Sequence, residues 1–256
     1  MGNGKQGRSG IRGVYLTRLA ARCVIAAAGI LALIRDPGWA EILRDWNFFR
    51  RFSPFHLLWA AWAADTLAQI APVGKRLALG SEKLFRFRYI PAADLSRRLP
   101  RLPERIRSAS RKAYRVFALW TILTIALCFL RRNEILNDAA LLCVTLIFYV
   151  CDLICVLVWC PFRLMMGNRC CTTCRVFNWD HLMMFSPLIP VRGFFSWSLL
   201  TLSAAAFLSW EIRVLYYPER FWEGTNAALR CSNCTDKLCT QYCEGWLKNR
   251  DKPGRT

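Results

Sequence analysis

The apolar residues of this chain come in long unbroken blocks, and that feature restricts its possible folds more than any other. Residues 116–130 carry no charge between Arg115 and Arg131, and residues 138–162 are interrupted internally only by Asp152. A helix needs roughly 20 apolar residues to cross the hydrocarbon core of a bilayer, where water is absent and every backbone polar group must be satisfied within the segment. The chain therefore reads as an all-α, polytopic helical membrane protein of about four to five spans, with one short re-entrant or interfacial segment.

The spans are expected near 14–34, 54–73, 116–130, 138–162 and 193–217, making residues 1–217 a helical membrane domain and 218–256 a Cys-rich tail. Span 14–34 is fully apolar only from Cys23 onward, with Arg18 and Arg22 one turn apart on one face and able to reach the headgroups. Arg35, Asp36 and Pro37 follow with no small-residue cleavage site, which favours an uncleaved first helix, and the start Met-Gly-Asn-Gly-Lys-Gln lacks the Ser or Thr of a myristoylation signal. Residues 36–52 interleave Trp39, Trp46, Phe48, Phe49 and Phe52 with Arg44, Arg50 and Arg51, the mixture that suits a headgroup layer. Residues 182–191 are apolar but too short to span, and Pro187 and Pro190 oppose a regular helix, so a re-entrant or surface-lying segment is expected.

A formal net charge of +19, from 36 Lys and Arg against 17 acids, would suit nucleic acid in a soluble chain. Here the apolar blocks redirect it to the membrane surface, and no nucleic-acid partner is expected. Between 74 and 115 there are 13 Lys or Arg against Glu82, Asp94 and Glu104, with Pro91, Pro100 and Pro103 interrupting any long helix. Short loops of this composition stay cytoplasmic and attract anionic headgroups, so loop 74–115 is placed on the cytoplasmic side, of the plasma membrane if the chain is bacterial. Three spans after that loop would put the tail outside. A shallow hairpin over 182–217 would return it to the basic side, which the tail's own basic residues favour.

Thirteen cysteines are many for such a protein. The tail places Cys231, Cys234, Cys239 and Cys243 within thirteen residues. A two-residue gap lets two sulfurs point at one centre, and a four-residue helical spacing lets the other two share a face. Four thiolates suit tetrahedral zinc or an iron–sulfur cluster, and Cys170, Cys171 and Cys174 form a second such knuckle, with His181 as a possible substitute ligand. Cys23, Cys128, Cys143, Cys151, Cys155 and Cys160 fall in the apolar blocks, where cysteine packs as a small hydrophobe. Disulfides and free thiols are the competing states of both clusters.

Asp152 and Asp65 are acids within candidate spans, where a charge costs several kcal/mol unless neutralised or paired. Arg18 and Arg22 are the available cations. Asp180 beside His181 is a further acid–base candidate, although adjacent residues rarely face one another. No phosphate loop, His-Glu-x-x-His sequence or nucleophile elbow is present. Three functions follow as expectations: a cysteine-ligated metal or iron–sulfur centre, structural or electron-transferring; membrane thiol–disulfide exchange with a redox or membrane-protein partner; and a transporter or lipid-surface enzyme working through Asp152 or Asp65.

Overall fold

The computed structural model describes residues 7–71, 83, 85–168 and 170–233. In chain order the bundle is built from α1 (Gly7–Arg35), α2 (Phe55–Ile70), α3 (Leu102–Arg132), α4 (Asp138–Leu157), α5 (Asp180–Phe185) and α6 (Phe194–Tyr216). The protein is an all-α polytopic membrane protein. Among the described residues no strand forms, and α1, α3, α4 and α6 belong to the four helices long and apolar enough to cross a membrane.

Several boundaries depart from the sequence expectation. The expected span 116–130 is only the second half of α3, which starts at Leu102 and runs for 31 residues. Pro103 does not break it, because it occupies the first turn, where its missing N–H has no intrahelical partner to lose. At 1.5 Å per residue α3 is about 46 Å long, so its basic first half extends beyond a hydrocarbon layer of about 30 Å. The helix expected over 54–73 ends at Ile70 after 16 residues, too short to be one of the four spanning helices. Helix α4 begins where Asn137 accepts the Ala140 N–H, and it stops at Leu157 instead of reaching Phe162. Pro161 then opens a separate short helix, Pro161–Met166, which closes on Gly167 at φ +64°, a left-handed conformation that favours glycine.

The proline-broken segment after Asp180 lies inside the bundle and not on its surface. Phe185 and Leu188 are completely buried, and Trp179 just before α5 nearly so. Trp120 of α3 donates to Ser186, Trp62 of α2 packs on Phe185 with ring centroids 5.4 Å apart, and Phe207 of α6 packs on Trp179 at 5.4 Å. Pro187 bends the chain without a burial cost because short 3-10 turns retain local hydrogen bonds.

Two polar assemblies mark the ends of the bundle. At one, Asp138 is buried and pairs with both Arg44 and Arg131, which ties the turn after α1 to the α3–α4 hairpin. There Asp45 N–H donates to the Arg192 carbonyl at 2.7 Å, and Gly193 runs so close that a Cβ would lie 2.0 Å from Leu43 O. At the other end, Ala92 N–H donates to Thr225 O, Ala227 N–H to Ile90 O, Arg230 pairs with Asp94, and Lys112 donates to the Met166 carbonyl. The chain before α3, the loop after α4 and the chain after α6 thus share one end. The tail starts on the side of the basic loop because segment 180–192 carries the chain back between α4 and α6.

Asp138 is buried between two cations at the start of α4. Asp138→Ala should lower stability by about 2 kcal/mol, the loss of charged hydrogen bonds to arginines that can still reach water, read as a drop of a few degrees in the thermal midpoint of detergent-purified protein.

Candidate functional site

The acids expected to need partners meet in one place, although they come from distant parts of the chain. Arg22 of α1 is their hub. Its Nη1 donates to Asp152 Oδ2 of α4 at 2.6 Å and to the Tyr149 carbonyl at 2.9 Å, and its Nη2 donates to Asp65 Oδ2 of α2 at 3.2 Å. The guanidinium also lies 4.3 Å from the centroid of the Tyr149 ring, an added cation–π attraction. Arginine suits this position because its planar fork stays charged and serves several acceptors at once.

Helix α5 closes the cluster. His181 Nε2 lies 3.4 Å from Asp65 Oδ2, an ion-pair distance whose geometry falls short of a hydrogen bond. On its other side, Nδ1 is 3.2 Å from Asp180 Oδ1, which also accepts the His181 backbone N–H. Adjacent residues thus do face one another here, because Asp180 begins a helix and its carboxylate folds back over the first turn. Gln69 of α2 links the pair. Its amide nitrogen lies 2.7 Å from His181 Nδ1 and donates to both oxygens of Asp180 at 3.1 and 3.2 Å.

With the Gln69 amide so oriented, Nδ1 accepts, and the neutral ring carries its proton on Nε2, facing Asp65. A charged ring needs the amide turned over to offer Oε1, which is buried and has no partner in the present orientation. His181 is 6% exposed and Arg22 14%, whereas Asp65 is half exposed, so one carboxylate opens the cluster to its surroundings. The charge of Arg18, one turn earlier on α1, also acts on Asp65.

The cysteines fall into two groups. The side chain of Cys231, and Cys234, Cys239 and Cys243 entirely, lie outside the described residues. Among the described residues, no three or more His, Cys, Asp or Glu side chains are arranged to hold a metal ion. Cys170, Cys171 and Cys174 sit around the single 3-10 turn Cys171–Thr173, and His181 is engaged by the charged cluster and not by them. Cys160, read from sequence as a packing residue, is buried, and Cys155 lies beside Cys171. The Cys171 thiol donates to the Cys155 carbonyl at 3.8 Å, and hydrogen bonding from its surroundings, the neighbouring cysteines first, holds the Cys160 thiol below the usual range.

Two residues carry more of this region than their sequence position indicates. Lys83, counted with the headgroup-facing loop, is buried at 2% exposure, donates to the Cys174 carbonyl at 3.3 Å and lies 4.8 Å from the Trp210 ring centroid. Burial pushes its ammonium down to about 7, against the opposing pull of the nearby cysteines. Trp179 is buried and donates to Glu211, which also pairs with Arg175.

Comparison of the chain with protein-family models, with curated proteins and with solved structures gives no match.

Proposed function

We propose that the protein is a membrane transporter that takes up and releases protons at the Arg22–Asp65–Asp152–Asp180–His181 cluster. One observation carries this reading: a single guanidinium stands among three carboxylates and one imidazole in a largely buried site. With all three acids ionised and the imidazole neutral, the cluster would carry a net charge of −2, which a low-dielectric interior opposes. Two protons neutralise it, one on the imidazole and one on a carboxylate. Both protons are exchangeable, whereas the guanidinium proton is not.

The surroundings support movement of those protons. The cluster joins four separate segments, one of them the broken stretch after Asp180, and discontinuous helices near mid-membrane commonly line transport sites. Gln69 has one amide orientation for each charge state of the imidazole. Asp65 supplies access, and Arg18 biases the acid on the basic side. We place that side in the cytoplasm by its excess of Lys and Arg, in contact with anionic headgroups.

A second reading rests on the density of tail thiols: a zinc or iron–sulfur centre on Cys231, Cys234, Cys239 and Cys243, with a structural or electron-transfer role. Metal and acid-labile sulfide in stoichiometric amounts in anaerobically purified protein, lost when Cys231 and Cys234 are both replaced by Ser, would establish it. A metal-free preparation would remove it.

The proton reading is tested with proteoliposomes adsorbed on a solid-supported membrane and exposed to a pH jump, which records charge displacement without a known substrate. Wild-type protein should give a transient that falls several-fold in Asp152→Asn and in His181→Gln. Transients of wild-type size in both variants would contradict the proposal.

A further inference from the structure

The last turn of α6 carries a cation that no carboxylate meets among the described residues. Arg213 lies in that turn, one turn before the cap, where Tyr217 N–H donates to its carbonyl at 2.9 Å. Its Nη1 is buried and, among the described residues, has no hydrogen-bond partner. Glu211, two residues earlier, is engaged elsewhere: both its oxygens accept from Arg175, and one also accepts from the Trp179 indole. What Arg213 does meet is a ring, its guanidinium carbon standing 5.1 Å from the Phe85 centroid. That cation–π contact orients the planar fork but satisfies none of its N–H groups. A buried charged donor left unmatched is costly, so the position calls for an anion.

The surroundings narrow the choice of anion. Ile212, Leu215, Tyr216 and Tyr217 are all exposed, and around the end of a membrane-spanning helix such faces meet lipid, with tyrosine at the boundary between tails and headgroups. Arg220 flanks the same tyrosine. Its N–H donates to the Tyr217 carbonyl at 3.1 Å, and its guanidinium carbon lies 4.0 Å from the Tyr217 ring centroid. The turn that carries it, Pro218–Phe221, is pinned from two sides, by the Asn226 amide donating to the Arg220 carbonyl at 2.9 Å and by Phe221 packed on Trp210 with centroids 4.9 Å apart. Two guanidinium groups are thus fixed around one interfacial tyrosine, at the end of the bundle that carries the basic loop.

We propose that Arg213 and Arg220 bind the phosphate of one anionic phospholipid, of the phosphatidylglycerol type, in the leaflet facing the basic loop. The fork of Arg213 offers paired N–H groups that match two phosphate oxygens. Arg220 adds a second positive charge, which favours a headgroup of net negative charge over a zwitterionic one whose ammonium it would repel. The acyl chains lie along the exposed Ile212 and Leu215. A defined site of this kind differs from the diffuse attraction of a basic loop for headgroups, and it shares no residue with the Arg22 cluster, so the two proposals stand or fall separately.

The test is an arginine footprint of the full-length protein in lipid nanodiscs, with phenylglyoxal as the modifying reagent and peptide mass as the readout. Arg213 should be modified several-fold more slowly in phosphatidylcholine mixed with phosphatidylglycerol than in phosphatidylcholine alone, and inorganic phosphate added to the latter should give no protection. Equal rates in the two lipids would overturn the proposal, and so would protection by inorganic phosphate alone, which would make the ligand a free anion. This comparison uses only the wild-type chain. Arg213→Lys keeps the charge but loses the fork, and in native mass spectrometry of detergent-purified protein it should weaken phosphatidylglycerol binding about ten-fold. Arg107→Lys, exposed on α3, should leave that binding unchanged; equal effects of the two replacements would mark diffuse attraction and overturn the assignment.

Discussion

An arginine inside a bundle of apolar helices must be matched by negative charge or it drives the helices apart, and Arg22 is matched on two sides. Asp152 and Asp65 bring α4 and α2 to α1, and His181 with Asp180 then ties the broken segment to the same point. Lipid offers α1 little reason to prefer a protein neighbour, because hydrocarbon tails are as apolar as its own side chains. The charged contact, together with close packing such as Gly29 against Leu146, supplies that reason and fixes the register of α1 on α4.

The remaining architecture follows from where the polar groups can be satisfied. Asp138 gathers Arg44 and Arg131 at one end, while Glu211 gathers Arg175 and the Trp179 indole toward the other. Between them the only large polar assembly is the Arg22 cluster, among the described residues, and its surplus of acids over cations is the feature the proposed proton exchange draws on. A purely adhesive cluster would balance its charges without needing to hold exchangeable protons.

Much of this was legible in the sequence, for reasons that differ from residue to residue. Blocks such as 138–162 announce lipid-facing helices because no soluble fold buries so many consecutive apolar residues, and Asp152 stands out because an isolated acid there must find a partner. Arg22 was one of two nearby cations in the same helix; the choice between it and Arg18 depends on helix rotation, which the sequence does not specify. Asp180 and His181 are legible as an acid–base candidate, and what adjacency conceals is that a helix start lets the carboxylate turn back on the next residue. Gln69 and Lys83 carried no signal at all, one being an ordinary polar residue near a helix end and the other one basic residue in a basic loop. The start of α3 is not legible, because a proline in a first turn and a proline in a helix interior look the same in sequence without the cap.

The central physical claim is that Arg22 and Asp152 act on each other across α1 and α4. The most direct measurement is a double-mutant cycle on unfolding free energy in mixed micelles, comparing Arg22→Ala, Asp152→Ala and the double replacement. Coupled partners should give an interaction energy of about 2 kcal/mol, the double variant being much less damaged than the sum of the single ones. Strict additivity of the two single effects would contradict the account.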